Sequence, residues 1–299
     1  MIAMSRVKQA AKRAVQTVSK VRAHWKDELC IQFDNLPLRY ATRSPIAKRW
    51  FYPRYISGKR MHEPPISALI RSELGPDSVF FDVGANVGFF TVLGAKVCSA
   101  SEGEVHAFEL DPTLIPLIRE SLCMNEDRAP VYLNCVACTD EAGNFYTFRA
   151  AQENNPSTNQ ITVDEETRSG RDRVQAVTMT LDRYWRRTGT TPDLIKMDIE
   201  GAEAMAVHGM LDLISENTPK LILEVHPTAV RQFGENPKSI VEKLREAGRY
   251  EKVARIRSYR SEFEQQSDRL VPLEPEAFAD DHPVVLFFTS EPVDGDFRA

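Results

Sequence analysis

The run Phe80-Phe81-Asp82-Val83-Gly84-Ala85-Asn86-Val87-Gly88-Phe89-Phe90-Thr91, followed by Val105-His106-Ala107-Phe108-Glu109, constrains this chain more than any other feature. An apolar strand ends in an acid, and the chain then turns through two glycines into a helix. A second apolar strand ends in another acid. This is the layout with which a parallel α/β sheet holds a nucleoside-containing ligand outside the carboxyl ends of its strands.

The residues of the turn discriminate between cofactors. A dinucleotide fingerprint needs glycines at G-x-G-x-x-G so that a pyrophosphate can approach the backbone. Here those positions are Gly84, Asn86 and Phe89, and the fingerprint fails twice. Asp82 would repel a pyrophosphate but suits a cation, and S-adenosylmethionine carries an ammonium and a sulfonium. Glu109 offers two acceptor oxygens to ribose hydroxyls. The expected cofactor-binding set is therefore Asp82, Gly84, Asn86, Gly88, Thr91 and Glu109. After the third strand, where an aspartate often binds the adenine amino group, the chain has Val136-Ala137-Cys138. A backbone carbonyl there, or Asp140 reaching back, is expected to take that contact.

Further motifs follow in order: Phe108-Glu109-Leu110-Asp111-Pro112, Leu194-Ile195-Lys196-Met197-Asp198-Ile199-Glu200-Gly201-Ala202-Glu203, and Leu223-Glu224-Val225-His226. Together with the Asp-Val-Gly-Ala-Asn-x-Gly turn, this series resembles the FkbM family of S-adenosylmethionine-dependent methyltransferases, over roughly residues 60–255. His62-Glu63-Pro64 is similar to that family's approach to the domain. The resemblance implies an α/β fold of the class I methyltransferase, Rossmann-like kind: a mostly parallel seven-stranded sheet with an antiparallel last strand. It also implies O-methylation of a hydroxyl on a sugar, glycan, glycolipid or secondary metabolite.

Lys196 and Asp198 are two apart at a strand's carboxyl end and so face one side, as do Glu224 and His226. In the fold implied by the resemblance, these strands are neighbours beside the one ending in Asp82, so the four side chains converge near the transferred methyl. His226 is the expected general base, because an unperturbed imidazole titrates near neutrality. Asp198 takes that role if buried, or orients the acceptor. Lys196 either lowers the pKa of a hydroxyl or neutralises the carboxylates, and a structural charge network competes as an account of all four. Glu200 and Glu203 flank Gly201 at a helix start, where acids also favour the helix dipole. Acids with a histidine can also hold a divalent cation, but metal-dependent methyltransferases generally use an aspartate pair and an asparagine. That pattern is missing, and no metal is assigned.

The 299 residues, 42% hydrophobic, suffice for a large buried core, and the net charge of −5 argues against a dedicated nucleic-acid binder. Two readings other than metabolite O-methylation remain open: an RNA ribose 2′-O-methyltransferase, and a non-catalytic binding or scaffold protein with a cofactor fold. Residues 5–26 read as a basic amphipathic helix within a segment 1–30, suited to peripheral contact with an anionic membrane, to a homo-oligomer or to packing on its own catalytic domain. Residues 31–65 read as an irregular aromatic lobe and 66–299 as the methyltransferase domain. The polar stretch 152–171 reads as a loop or lid. Five cysteines without a framework, and no long apolar span, make the cytoplasm the expected location, with the inner membrane surface as its periphery. Cys135 and Cys138 are placed on one strand as core thiols.

Overall fold

The computed structural model describes residues 22–24, 28–43, 47, 62–149, 173–256, 270–274 and 276–290. Strands β1 (Arg22–His24), β2 (Glu28–Phe33) and β3 (Leu36–Ala41) form an antiparallel sheet of their own. There follow α1 (Pro64–Glu73), β4 (Val79–Val83), α2 (Phe89–Val97), β5 (Glu104–Phe108), α3 (Ile115–Cys123) and β6 (Val131–Asn134). Next come β7 (Ala137–Cys138), β8 (Phe145–Arg149), β9 (Arg173–Met179), α4 (Leu181–Thr188), β10 (Leu194–Met197), α5 (Glu203–His208) and α6 (Leu211–Asn217). The described part ends with β11 (Lys220–Val225), α7 (Pro227–Gln232), α8 (Pro237–Ala247), β12 (Lys252–Ile256), β13 (Leu270–Pro272) and β14 (Val284–Thr289).

The main sheet has the order β13-β12-β14-β11-β10-β4-β5-β6. Strands β11, β10, β4, β5 and β6 pair in parallel, and β14 is antiparallel to β11, as expected for the class I methyltransferase fold. The sheet has eight strands rather than seven, because Leu270–Pro272 adds an antiparallel edge to β12. Its central strands read as unbroken apolar runs because both faces are covered. Alternation along each strand sends Phe80, Leu194, Ile222 and Phe287 into the layer with α1, α2 and α3. It sends Phe81, Ile195, Leu221, Leu223 and Phe288 into the opposite layer with α5, α6 and α8.

Asp82, Lys196 and Glu224 share the parity of Phe80, Leu194 and Ile222, and Lys196 stands directly opposite Asp82 in the strand register. The charged positions therefore collect on the α2 side of the sheet, at the carboxyl ends of three adjacent strands.

Several expectations are corrected. Residues 22–24 pair as a strand with β2, so the amphipathic helix does not reach residue 26. Residues 1–21 and the 152–171 lid lie outside the described residues, as does most of 44–61. The segment 28–41 is a hairpin rather than irregular: Glu-Leu-Cys-Ile-Gln-Phe alternates polar with apolar, and Asp34 takes the left-handed conformation at the turn (φ 50°). Its apolar face joins the α2 layer, where Tyr40 stacks on Phe89 at 5.2 Å. The third strand stops at Asn134, and β7 joins β8 and β9 in a separate small sheet. Cys135 is consequently exposed while Cys138 is buried, and both are free thiols. Helices α5 and α6 are separated at Gly209, whose carbonyl accepts from the Asp182 amide and whose Cα has no room for a side chain. Among the described residues, no helix is long and apolar enough to cross a membrane.

Phe81 lies in the layer that supports β4, with its ring 4.9 Å from His106, 5.6 Å from Phe108 and 5.9 Å from Tyr184. Phe81→Ala is expected to destabilise the protein by about 3–5 kcal/mol. The check is urea unfolding, in which the midpoint falls at constant slope.

Candidate active site

Strand ends and the turns after them build one crevice. It is lined by Val83, Gly84 and Asn86 after β4, Phe108, Glu109 and Leu110 after β5, Val136, Ala137 and Cys138 beyond β6, and Asp198, Ile199, Glu200 and Ala202 after β10. Gly84 is required by close approach as well as by backbone angle. Its φ is 80°, and a Cβ there would stand 1.9 Å from the Asp198 carbonyl oxygen. The amides of Gly84 and Ala85 both donate to the Phe108 carbonyl, at 2.9 and 3.0 Å, which ties the turn to the end of β5.

That tie brings Asn86 onto Glu109. Asn86 adopts the left-handed conformation (φ 52°), and its amide donates to Glu109 Oε2 at 2.7 Å, while the Asp111 amide donates to Oε1 at 2.8 Å. Glu109 is only 4% exposed. Burial pushes its carboxyl up to about 7, against the two amide donors and with the help of the Asp111 and Asp82 charges. The turn is thus built around a desolvated carboxyl that still has lone pairs for further donors.

Against the crevice lies a charge cluster. Lys196, nearly fully buried, has its Nζ 3.8 Å from Asp82 Oδ1 and 3.9 Å from Asp198 Oδ2, and it donates to the Gly84 carbonyl at 3.3 Å. It also sits 5.2 Å from the centre of the Phe90 ring. Burial alone would lower the lysine's pKa, but Asp198, Asp82, Glu63 and Glu224 outweigh burial and hold it above its ordinary value. Asp82 is fully buried and accepts the Thr91 hydroxyl at 2.6 Å. Burial pushes its carboxyl up, while Lys196 and Thr91 pull it down.

His226 caps α7 and is wrapped by acids. Its Nδ1 bonds Glu203 Oε1 at 2.8 Å, and its Nε2 lies 3.3 Å from Glu200, 3.6 Å from Glu224 and 4.0 Å from Asp198. Burial works to lower its pKa, yet the Glu203 hydrogen bond and the charges of Glu203, Asp198 and Glu200 push it up to about 10. The sequence-based role of His226 as general base is corrected: with these neighbours the ring holds its proton at neutral pH. Lys196, Asp198, Glu224 and His226 do converge, as the resemblance implied.

The expected cofactor set divides. Gly84, Asn86 and Glu109 line the crevice, whereas Asp82, Gly88 and Thr91 stand behind it as its scaffold. Gly88 (φ 81°) sits against Ile118, where α2 begins. Asp140 is exposed in a different surface depression, with Thr180, Arg183 and Gly209, because the chain leaves the main sheet after Asn134. Sequence reasoning assigned one contributor too small a duty and left two others unassigned. Glu203 is buried and accepts from both the Gly201 amide and His226, which is more than the helix-start duty assigned to it. Glu63 and Phe90 act on Lys196, and nothing in their sequence spacing announces it.

The sequence model of the family described as Methyltransferase FkbM domain matches residues 82–250, more than half of the chain. The chain belongs to this family. Among solved structures, the methyltransferase FkbM from Methylobacillus flagellatus KT is 15% identical over 72% of this chain and 44% of its own, with a TM-score of 0.42. The precorrin-6y C5,15-methyltransferase from Geobacter metallireducens GS-15 is 14% identical over 76% of this chain and 88% of its own, with a TM-score of 0.38. Trm5b from Pyrococcus abyssi is 14% identical over 89% of this chain and 56% of its own, with a TM-score of 0.42. This chain therefore spans less than half of the first of these and little more than half of the third. Curated protein sequences gave no match.

The state of Glu109 has a measurable consequence. A carboxyl whose folded pKa is raised from 4.5 to about 7 binds more protons folded than unfolded, so stability falls as pH rises through that window. The loss attributable to this one group is at most about 3 kcal/mol. Glu109→Gln is expected to flatten this part of the stability profile in the ligand-free protein, read as the melting temperature between pH 5 and pH 8.

Proposed function

We propose that this chain transfers a methyl group from S-adenosylmethionine to a hydroxyl oxygen of a small-molecule, sugar or glycan acceptor. The observation that carries the reading is Glu109, a buried carboxylate held by two backbone amides at the crevice wall, with lone pairs left for ribose hydroxyls. Phe108, Leu110, Val136 and Ala137 supply an apolar wall suited to a purine. Glu200 complements a ligand that carries an ammonium and a sulfonium. When bound, S-adenosylmethionine supplies an electrophilic methyl on a charged sulfur, and the electron pair of the broken carbon–sulfur bond returns to that sulfur.

What remains for the protein is alignment, exclusion of water and removal of the hydroxyl proton. Asp198 is the carboxylate placed for the last of these: it lines the crevice with Lys196 and His226 beside it, where bound cofactor and acceptor would complete its burial. The two cations hold its orientation. Three carboxylates on the crevice wall, Glu109, Asp198 and Glu200, repel a phosphodiester backbone, which favours a small or glycan acceptor over an RNA ribose.

Calorimetry with S-adenosylmethionine tests the cofactor. One site per chain is expected, weakened by about 1.5–3 kcal/mol in Glu109→Ala, the worth of hydrogen bonds to a charged group. Normal binding by that variant would overturn the assignment. Labelled-methyl transfer to fractionated cell extract, with the product identified by mass spectrometry, tests the reaction. Asp198→Asn is expected to lower turnover about 10²–10⁴-fold while cofactor affinity changes little. Undiminished turnover in that variant would remove Asp198 from the chemistry.

A further inference from the structure

We infer that Asp198, Glu224 and His226 form a binding site for one divalent transition-metal cation of the manganese class. One donor atom from each of the three lies within 4.8 Å of the others. His226 Nε2 is 3.6 Å from Glu224 Oε1 and 4.0 Å from Asp198 Oδ1. Three donors spread evenly around one ion at about 2.1 Å stand about 3.6 Å apart. The Glu224 distance already matches this, and an ion would draw Asp198 inward to complete the set.

The second, independent observation is the histidine itself. His226 is only 9% exposed, and its Nε2 makes no hydrogen bond although it faces Asp198, Glu200 and Glu224. Its other nitrogen is fixed by Glu203 at 2.8 Å, and Glu203 is itself braced by the Gly201 amide at 2.8 Å. A carboxylate that orients one imidazole nitrogen so that the other points at an ion is the usual support of a metal-ligating histidine. The ion takes the place of the proton on Nε2, which leaves to solvent. One imidazole with two carboxylates mixes a nitrogen that suits transition metals with oxygens that suit harder ions, and manganese accepts both.

The ion's role rests on the proposed function, since it would sit beside Asp198 on the crevice wall and bind an acceptor through two neighbouring oxygens. Its binding does not rest on that reading. The test is a Mn2+ titration of the full chain after chelator treatment, without cofactor, following the signal of free Mn2+ by electron paramagnetic resonance. One bound Mn2+ per chain is expected. Asp198→Asn, Glu224→Gln and His226→Gln should each weaken it at least 10-fold, and Glu203→Gln about 10–100-fold, as for other supporting ligand partners. Asp212→Asn, an exposed acid on α6, should leave it unchanged. Circular dichroism identifies any variant that fails to fold, and Asp198→Asn, at the partly exposed ligand, is the variant on which the result turns. No binding up to millimolar Mn2+, or equal binding by wild type and Asp198→Asn, would overturn the site. Cofactor binding without Mn2+ binding removes the metal and leaves the methyltransferase reading; the reverse result removes that reading and leaves the metal.

Discussion

The arrangement of this protein depends on one buried cation. Lys196 stands opposite Asp82 in the strand register, with Asp198, Glu224 and Glu63 also near enough to raise its pKa. A lone ammonium at that depth would shed its proton, and lone carboxylates there would take one up. Lys196 instead keeps its pKa above the ordinary value because these carboxylates supply its counter-charge, and Lys196 in turn pulls Asp82 down against burial. Removing one member would leave the rest of the cluster unbalanced in a desolvated place, so these residues are held as a set.

The cluster also ties the two turns of the crevice together. Lys196 reaches the carbonyl of Gly84 on the first turn, and the missing side chain of Gly84 lets the Asp198 backbone of the second come close. Each turn contains a non-glycine residue with positive φ, Asn86 at 52° and Glu200 at 54°, and both line the crevice. Such conformations cost on the order of 1–3 kcal/mol each and persist where the surrounding contacts over-determine them. Here those contacts are identifiable. The Asn86 amide is held by Glu109, and Glu200 precedes Gly201, where a Cβ would stand 2.4 Å from that of Ala229.

Binding chemistry and support are divided by depth. Glu109, Asp198 and Glu200 face the crevice, while Asp82, Thr91, Glu203 and Lys196 stand behind and set the orientation and charge of the first group. His226 belongs to both layers. Its ring is anchored from behind by Glu203, and its remaining nitrogen points toward the acids of the crevice.

By itself the sequence determined which apolar runs are buried strands and that Lys196 shares a face with Asp198, and Glu224 with His226, because residues two apart on a strand point the same way. The parallel strand order and the convergence of the two pairs were what the family resemblance implied. The hairpin at 28–41 was legible in the same alternation, whereas the β13 edge and the break at Gly209 depend on partners distant in the chain. Only the tertiary structure decided which acids stand in front and which behind, because depth is set by how one strand end packs against another. It moved Asp140 away from the crevice and made His226 a cation rather than a base. A side chain's charge state answers to the summed field of neighbours from β10, β11 and α5, and no spacing along the chain encodes that sum.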